Sequence, residues 1–348
     1  MIALNSILVT TDFSDAGNNA VRRAALIAAQ HEARVTLLHV VDSDAYKRSR
    51  TWPGASTGID PKVAAAHAAL GRLAAEVAGR HDVHVSQVVR VDRPLEHVCR
   101  MADEADLLVI GFKRVNPLRS FILGTPTEQL LRLVRRPVLL AKQAALDDYR
   151  RVLVAVDLGS DHESMVRSTS ALASAASLHV FHALSTRRMD RMRASDVPAR
   201  VIREVGDGEQ QRAIARLRSM LASMGLQGAR ASVDHGDPRR LTLETQLETG
   251  ADLVVVGKDG QSAMCDFLLG SVAQRVLSSA KCDVLVMPKG SHRGSARLST
   301  GGTWLDSGSR KTLEPIHVAP KTAREATLSG QGSREHPQAR SKAVAQAA

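Results

Sequence analysis

Two tandem α/β domains, each a five-stranded, parallel, doubly wound sheet, are the fold class this sequence predicts. Three observations predict it. Short runs of Val, Leu, Ile and Ala alternate with stretches of helical spacing, the pattern of parallel strands covered by helices on both faces. The alternation passes through five strands and then starts again. The second pass also keeps step with the first: Asp12 and Asp157 lie 145 residues apart, Pro94 and Pro238 lie 144 apart, and Gly111 and Gly257 lie 146 apart. An offset held over several elements points to duplication of one unit.

The first unit begins with a short apolar run, 7–12 (ILVTTD), that ends in an acid. Ser14 or Asp15 can cap the helix that follows, in which Val21, Ala24, Ala25 and Ala28 form one stripe. Residues 34–41 (RVTLLHVV) are a second strand, and a polar loop spans 42–60. Pro61 opens an alanine-rich helix to about residue 80. A third strand covers 83–91, a helix opens at Pro94, and 106–111 (DLLVIG) is the fourth strand. A loop then runs to Gly124-Thr125-Pro126, followed by a helix to about residue 134 and a fifth strand at 137–141.

After a polar link, 151–157 (RVLVAVD) matches the first strand, again ending in Asp. Residues 160–176 are helical, 178–183 are a strand, and a loop carries Arg187, Arg188, Arg191 and Arg193. A long helix spans 199–224, a strand 229–235, and Asp237-Pro238 opens the next helix. The fourth and fifth strands are 252–257 and 284–287. The expected units are therefore 1–143 and 150–290. From 291 to 348 Gly, Ser, Arg, Thr and Pro dominate and apolar residues stand alone, so this segment is expected to be a disordered basic tail.

Composition limits the function. The net charge is +11, but nine Lys/Arg against four acids after residue 290 leave the body only mildly basic. There is no dense Lys/Arg block and no set of aromatic platforms, so nucleic acid is a weakly supported partner. The three cysteines form no C-x-x-C pair and are odd in number, which fits a reducing cytoplasm. No apolar run approaches 18 residues, and no export signal is expected at the start, so no membrane partner is expected.

The stretch with most chemistry is Gly257-Lys258-Asp259-Gly260, followed nine residues later by Gly270-Ser271-Val272. It joins an apolar strand to an amphipathic helix. Bare backbone N–H groups and a helix N-terminus can together hold a phosphate. Two ordinary turns around a surface loop explain the same glycines. In doubly wound sheets ligands bind beyond the carboxyl ends of the strands, where strand order reverses. Asp157, the region of Ala183 and the loop after Gly257 are therefore candidates for one pocket. Asp12 and Asp157 read equally as ligand contacts and as caps of a strand-to-helix turn.

Other chemistries find little support. His81/His84 and His179/His182 are each three apart on or near strands and so face opposite ways. No H-E-x-x-H, zinc-type Cys–His set, P-loop or nucleophile elbow occurs. Cys265 reads as a packed thiol and the arginines at 187–193 as a solvated loop.

The residues do resemble a family. A strand ending in Asp157, the segment Leu178-His179-Val180-Phe181-His182, the run Gly236-Asp237-Pro238 and the strand 252–257 are similar to those of universal stress proteins. Gly257-x2-Gly260-x9-Gly270-Ser271 resembles the ATP-binding signature of that family's nucleotide-binding branch. The resemblance implies a Rossmann-like fold of the adenine nucleotide alpha hydrolase type. It also implies ATP, with Mg2+, as ligand of the second unit. Asp157 would lie beside the adenine and Ala183 would line it. Gly257 and Gly260 would approach ribose and phosphate, and Gly270, Ser271 and Val272 would cradle the phosphates.

The first unit departs from this pattern. Gly111 and Gly124 keep the spacing, but Arg114 stands at the second glycine, Thr125 replaces Ser, and Pro126 removes a donor. Its expected role is structural. In this family fifth strands pair across a dimer, and here 137–141 and 284–287 offer that pairing within one chain or between two. The leading expectation is a cytoplasmic stress-response protein, an ATP-gated signalling or binding module in which nucleotide orders the 258–269 and 185–198 loops. Alternatives are a regulatory scaffold that binds protein or nucleic acid without nucleotide and, more weakly, a slow nucleotide hydrolase.

Overall fold

The computed structural model describes residues 4–44, 46, 60–112, 126–159, 162–258 and 269–288, together with the backbone of 317–318. The first half contains β1 (Ser6–Thr10), α1 (Asp15–His31), β2 (Arg34–Asp42), α2 (Pro61–His81), β3 (Val85–Asp92), α3 (Pro94–Ala102), β4 (Leu107–Gly111), α4 (Pro126–Leu133) and β5 (Val138–Ala141). The second contains β6 (Arg151–Val156), α5 (His162–Leu172), β7 (Ser177–Leu184), α6 (Arg187–Ala194), α7 (Ala199–Ser223), β8 (Arg230–His235), α8 (Pro238–Thr249), β9 (Leu253–Gly257), α9 (Ser271–Ser279) and β10 (Asp283–Met287). A two-residue strand, β11 (His317–Val318), pairs antiparallel with the start of β3. The rest of the expected tail lies outside the described residues.

The strands form one sheet in the order β11-β3-β2-β1-β4-β5-β10-β9-β6-β7-β8. Within each half neighbouring strands are parallel, with the first strand central (β1 or β6) and the order reversing beside it. The halves join where β5 and β10 pair antiparallel, with Leu139 opposite Leu285. Of the two pairings the sequence left open, the structure has the one within the chain.

Alternation sorts the strand residues onto two faces. Ile7, Val9, Val109, Val154 and Val255 face one core, with Ala24 of α1 and Leu217 of α7. Leu8, Leu108, Leu153, Val254 and Val284 face the other, with Leu131 of α4 and Val276 of α9. Both faces are covered, which is why the strands read as unbroken apolar runs.

Polar side chains repeat as well. Asp106 accepts from Asn5 N (2.9 Å), Ser6 N (3.0 Å) and Ser6 Oγ (2.9 Å), and Asp252 accepts from Arg150 N (2.9 Å) and Arg151 N (3.1 Å). Each acid thus pins the start of its half's central strand. At the opposite end, His39 Nδ1 donates to Thr11 O (2.8 Å) and His182 Nδ1 to Val156 O (2.9 Å).

One expectation fails. The arginine segment 187–193 is a helix, α6, not a loop. Arg, Met and Ala favour helix, Thr186 Oγ1 donates to Asp190 Oδ2 (2.8 Å), and Arg193 pairs with Asp190 (2.8 Å). Met189 is buried against Gly206 of α7, where an added Cβ would lie 3.0 Å from its sulfur. One apolar anchor in a run of charges carries no periodicity for a sequence reading to find.

Candidate functional site

Register assembles the site. Ala155 lies beside Val256, and Val156 beside His182. One step on, Gly257 comes level with Val156, and Asp157 comes level with Ala183 one row beyond, all at the carboxyl edge of β9, β6 and β7. This is the reversal point of the second half, and Gly257, Asp157 and Ala183 are partly exposed. Gly260 and most of the 258–269 loop lie outside the described residues, as do Arg114, Gly124, Thr125 and Cys265.

The base of the loop is described. Lys258 N donates to Met287 O (2.7 Å), extending the sheet by one bond. Lys258 O then accepts from Gly270 N (2.7 Å), which brings the returning chain back to the strand end. Gly270 is the N-cap of α9, with φ −60° and ψ 150°, and makes no side-chain capping bond. Helix N-termini present N–H groups that the helix itself cannot satisfy, and a Ser, Thr, Asp or Asn usually takes one of them. Here the cap has no side chain, Ser271 is exposed, and the first turn carries no acid. A helix N-terminus of this kind can hold an anion.

The neighbouring carboxylate supports the strand-end turn. Asp157 Oδ1 accepts from Gly159 N (3.1 Å). In the first half the equivalent Asp12 accepts from both Ser14 N (3.0 Å) and Ser14 Oγ (2.5 Å). Burial raises the pKa of Asp12, but the Ser14 hydroxyl and backbone bonds outweigh it and hold the group below its ordinary value. Gly159 stands where Ser14 would and brings no hydroxyl. Phe13, next to Asp12, takes φ 64° and sets its ring 4.3 Å from that of His39. A bulky residue in the left-handed region costs roughly 1–2 kcal/mol, and among the described residues Leu158 does not share that strain.

The first glycine of the first half's loop has a packing reason. A Cβ on Gly111 would sit 2.3 Å from Ala16 O and 2.7 Å from Gly17 N, because the first turn of α1 crosses the strand end there. Gly257 lies on the same face, since Leu253 and Val255 share the core of Leu107 and Val109. Val272 has an N–H at the place where Pro126 opens α4 with none.

Histidines near the site have other work. His179 Nε2 lies 2.7 Å from Ser232 Oγ and His182 holds the backbone. Among the described residues no group of three or more His, Cys, Asp or Glu side chains gathers to hold a metal, and no helix is long and apolar enough to cross a membrane.

Sequence reasoning missed the polar groups at the junction of the halves. Asp283, fully buried on β10, accepts from Lys142 N (2.7 Å) and Gln143 N (2.9 Å) at one oxygen and from Tyr149 Oη (2.7 Å) at the other. Arg23, 4% exposed on α1, brings Nε to 3.1 Å from the same carboxylate and lies 4.4 Å over the Tyr149 ring. Burial first, then the Asp283 charge, pushes the Tyr149 hydroxyl well above its usual pKa, so it stays a donor. Lys142 and Lys258 also cross the junction. The signal in the sequence was that an acid, Asp283, opens an apolar strand at the place where the first half has Pro137.

The universal stress protein family model matches this chain twice, over residues 4–142 and 148–288. The chain belongs to the universal stress protein family. A universal stress protein of Mycolicibacterium smegmatis is 27% identical over 301 residues, covering 81% of this chain and 96% of the relative. A universal stress protein A homolog of Coxiella burnetii is 32% identical over 145 residues, 41% of this chain and 97% of its own length. The crystal structure of a universal stress protein from Archaeoglobus fulgidus superposes with a TM-score of 0.61 at 18% identity, covering 82% of this chain and 99% of that one. At that identity the likeness speaks for the fold alone. The universal stress protein described here is thus a tandem member with a mostly parallel α/β sheet.

Proposed function

We propose that the second half binds ATP, or a related adenine nucleotide, at the carboxyl edge of β6, β7 and β9, and that the protein acts in the stress response as a nucleotide-dependent signalling or binding module. The observation that supports this most is the N-terminus of α9: a glycine cap without a side-chain bond, tied by Gly270 N to Lys258 O beside Gly257 and Asp157. The residues present fit the ligand. Asp157 and Ala183 would flank the base, Gly257 and Gly260 would approach the ribose and phosphate, and Gly270, Ser271 and Val272 would supply N–H groups and a hydroxyl to the phosphates. Mg2+ would arrive on the phosphates, as it usually does with nucleotides.

In this reading units 1–143 and 150–290 are the two domains, and the first is a structural partner whose own cradle lost a donor at Pro126. Cytoplasmic residence belongs to the same proposal, since Cys99 and Cys282 are free thiols of the kind a reducing compartment keeps. The role is binding rather than turnover, and an assay for released phosphate separates it from hydrolysis. The test is mass spectrometry of small molecules released when the purified full-length protein is denatured. An adenine nucleotide is expected. Neither released nucleotide nor calorimetric binding at millimolar ATP would remove the proposal.

A further inference from the structure

Two lysines cross the junction of the halves in opposite directions, and both end on helix carbonyls. Lys258, the first residue of the candidate nucleotide loop, is 7% exposed and turns away from the site. Its Nζ donates to Arg132 O and Val134 O (3.1 Å for the latter), at the C-terminal end of α4 in the first half. Lys142, just after β5 in the first half, sends its Nζ to Leu277 O (2.5 Å) and Ala280 O (3.1 Å), at the C-terminal end of α9. Phe112, which stands in the first half where Lys258 stands in the second, lies under that ammonium at 4.8 Å.

Each ammonium meets unsatisfied carbonyls and the negative end of a helix dipole, an arrangement that stabilises the helix end. The consequence falls on α9. Its C-terminus is held by Lys142 of the other half. Its N-terminus is held by Gly270 N on Lys258 O, and Lys258 is itself anchored in the other half. We infer that Lys142 and Lys258 are positioning residues through which the first half fixes α9 and the loop base for the phosphates of the nucleotide. This rests on the nucleotide reading above, and it gives the first half, with its altered loop, a role in that site without a ligand of its own.

The experiment uses the full-length protein and its Lys142→Met, Lys258→Met and Lys258→Arg variants. ATP and adenosine are titrated calorimetrically, and amide hydrogen exchange is followed without nucleotide. Each Met variant should weaken ATP about tenfold, as expected for misplacing one charge-assisted phosphate contact, and leave adenosine within about twofold. Exchange should quicken at Gly270 and through α9 but not in β6, and Lys258→Arg should restore much of the ATP affinity. Equal losses for ATP and adenosine, or unchanged ATP affinity with unchanged exchange, would overturn the inference. If Lys258→Met does not fold, Lys142→Met carries the test alone, because that side chain is only half-buried. If the wild-type protein does not bind ATP, the site reading falls and this inference with it. That result differs from its own failure, which shows as wild-type binding that the lysine variants leave unchanged.

Discussion

The two halves share a fold, a strand order and a set of backbone clamps, yet their carboxyl edges differ. In the first half Asp12 is tied by Ser14, Phe13 sits in a left-handed turn against His39, and Pro126 opens α4 without an N–H. In the second, Gly159 replaces Ser14, Leu158 replaces Phe13, and α9 begins after a bare glycine cap. The sheet repeats in both halves while the edges differ. The strands must stay apolar in both halves because both faces are covered. The loops need donors only where something is held.

The largest effect should come from the junction that both halves need. Asp283→Ala removes the partner of a buried arginine and leaves two backbone donors and a phenol facing each other. Removing one member of a buried pair costs about 3–5 kcal/mol, readable as a shifted urea midpoint. A loss below about 1 kcal/mol would show that the halves are held by strand pairing alone.

Next comes a difference in acid sensitivity. At the place where β2 carries Thr36, β7 carries His179, whose pKa is driven down to about 4 by burial and then by the Arg230 charge, with Asp234 opposing. The folded state disfavours its proton, so its contribution is complete above the unfolded value of 6.5 and is lost as pH falls from there toward 4. The full shift corresponds to about 3 kcal/mol. Unfolding free energies at pH 7.5 and 4.5 should fall apart by that order in the wild type and by much less in His179→Gln. Parallel slopes would place the acid sensitivity elsewhere.

The smaller effects are on ligand. Val272→Pro copies Pro126 into the second half. Proline is tolerated in a first helical turn, so the fold should hold while one phosphate donor is lost, weakening ATP about tenfold. Gly260→Arg, which copies Arg114, should weaken it at least as much. If neither substitution moves the affinity, the loop takes no part in binding.

Much of this architecture was readable in the sequence, and the reason is physical. Buried parallel strands must be apolar along their whole length, so 7–11, 107–110, 152–156 and 253–256 announce themselves, and Pro61, Pro94 and Pro238 mark the helix starts that the structure shows. That Asp157, Ala183 and Gly257 gather at one edge was readable because strand ends in a doubly wound sheet converge. What was not readable depends on distant partners. Asp283 looks like a strand-edge acid until Arg23 and Tyr149 arrive from more than 130 residues away. Lys258 looks like a loop lysine until its ammonium reaches α4. Asp283 and Lys258 acquire their roles only from the pairing of β5 with β10, which the sequence left open between one chain and two.

In the proposed reading the chain carries two copies of one fold and a single nucleotide cradle. Isothermal titration of Mg-ATP into the full-length protein tests it most directly, because stoichiometry counts working cradles. One nucleotide per chain, abolished or strongly weakened by Gly260→Arg, is the predicted result. Two equivalent sites per chain, or no heat at millimolar ATP, would contradict it.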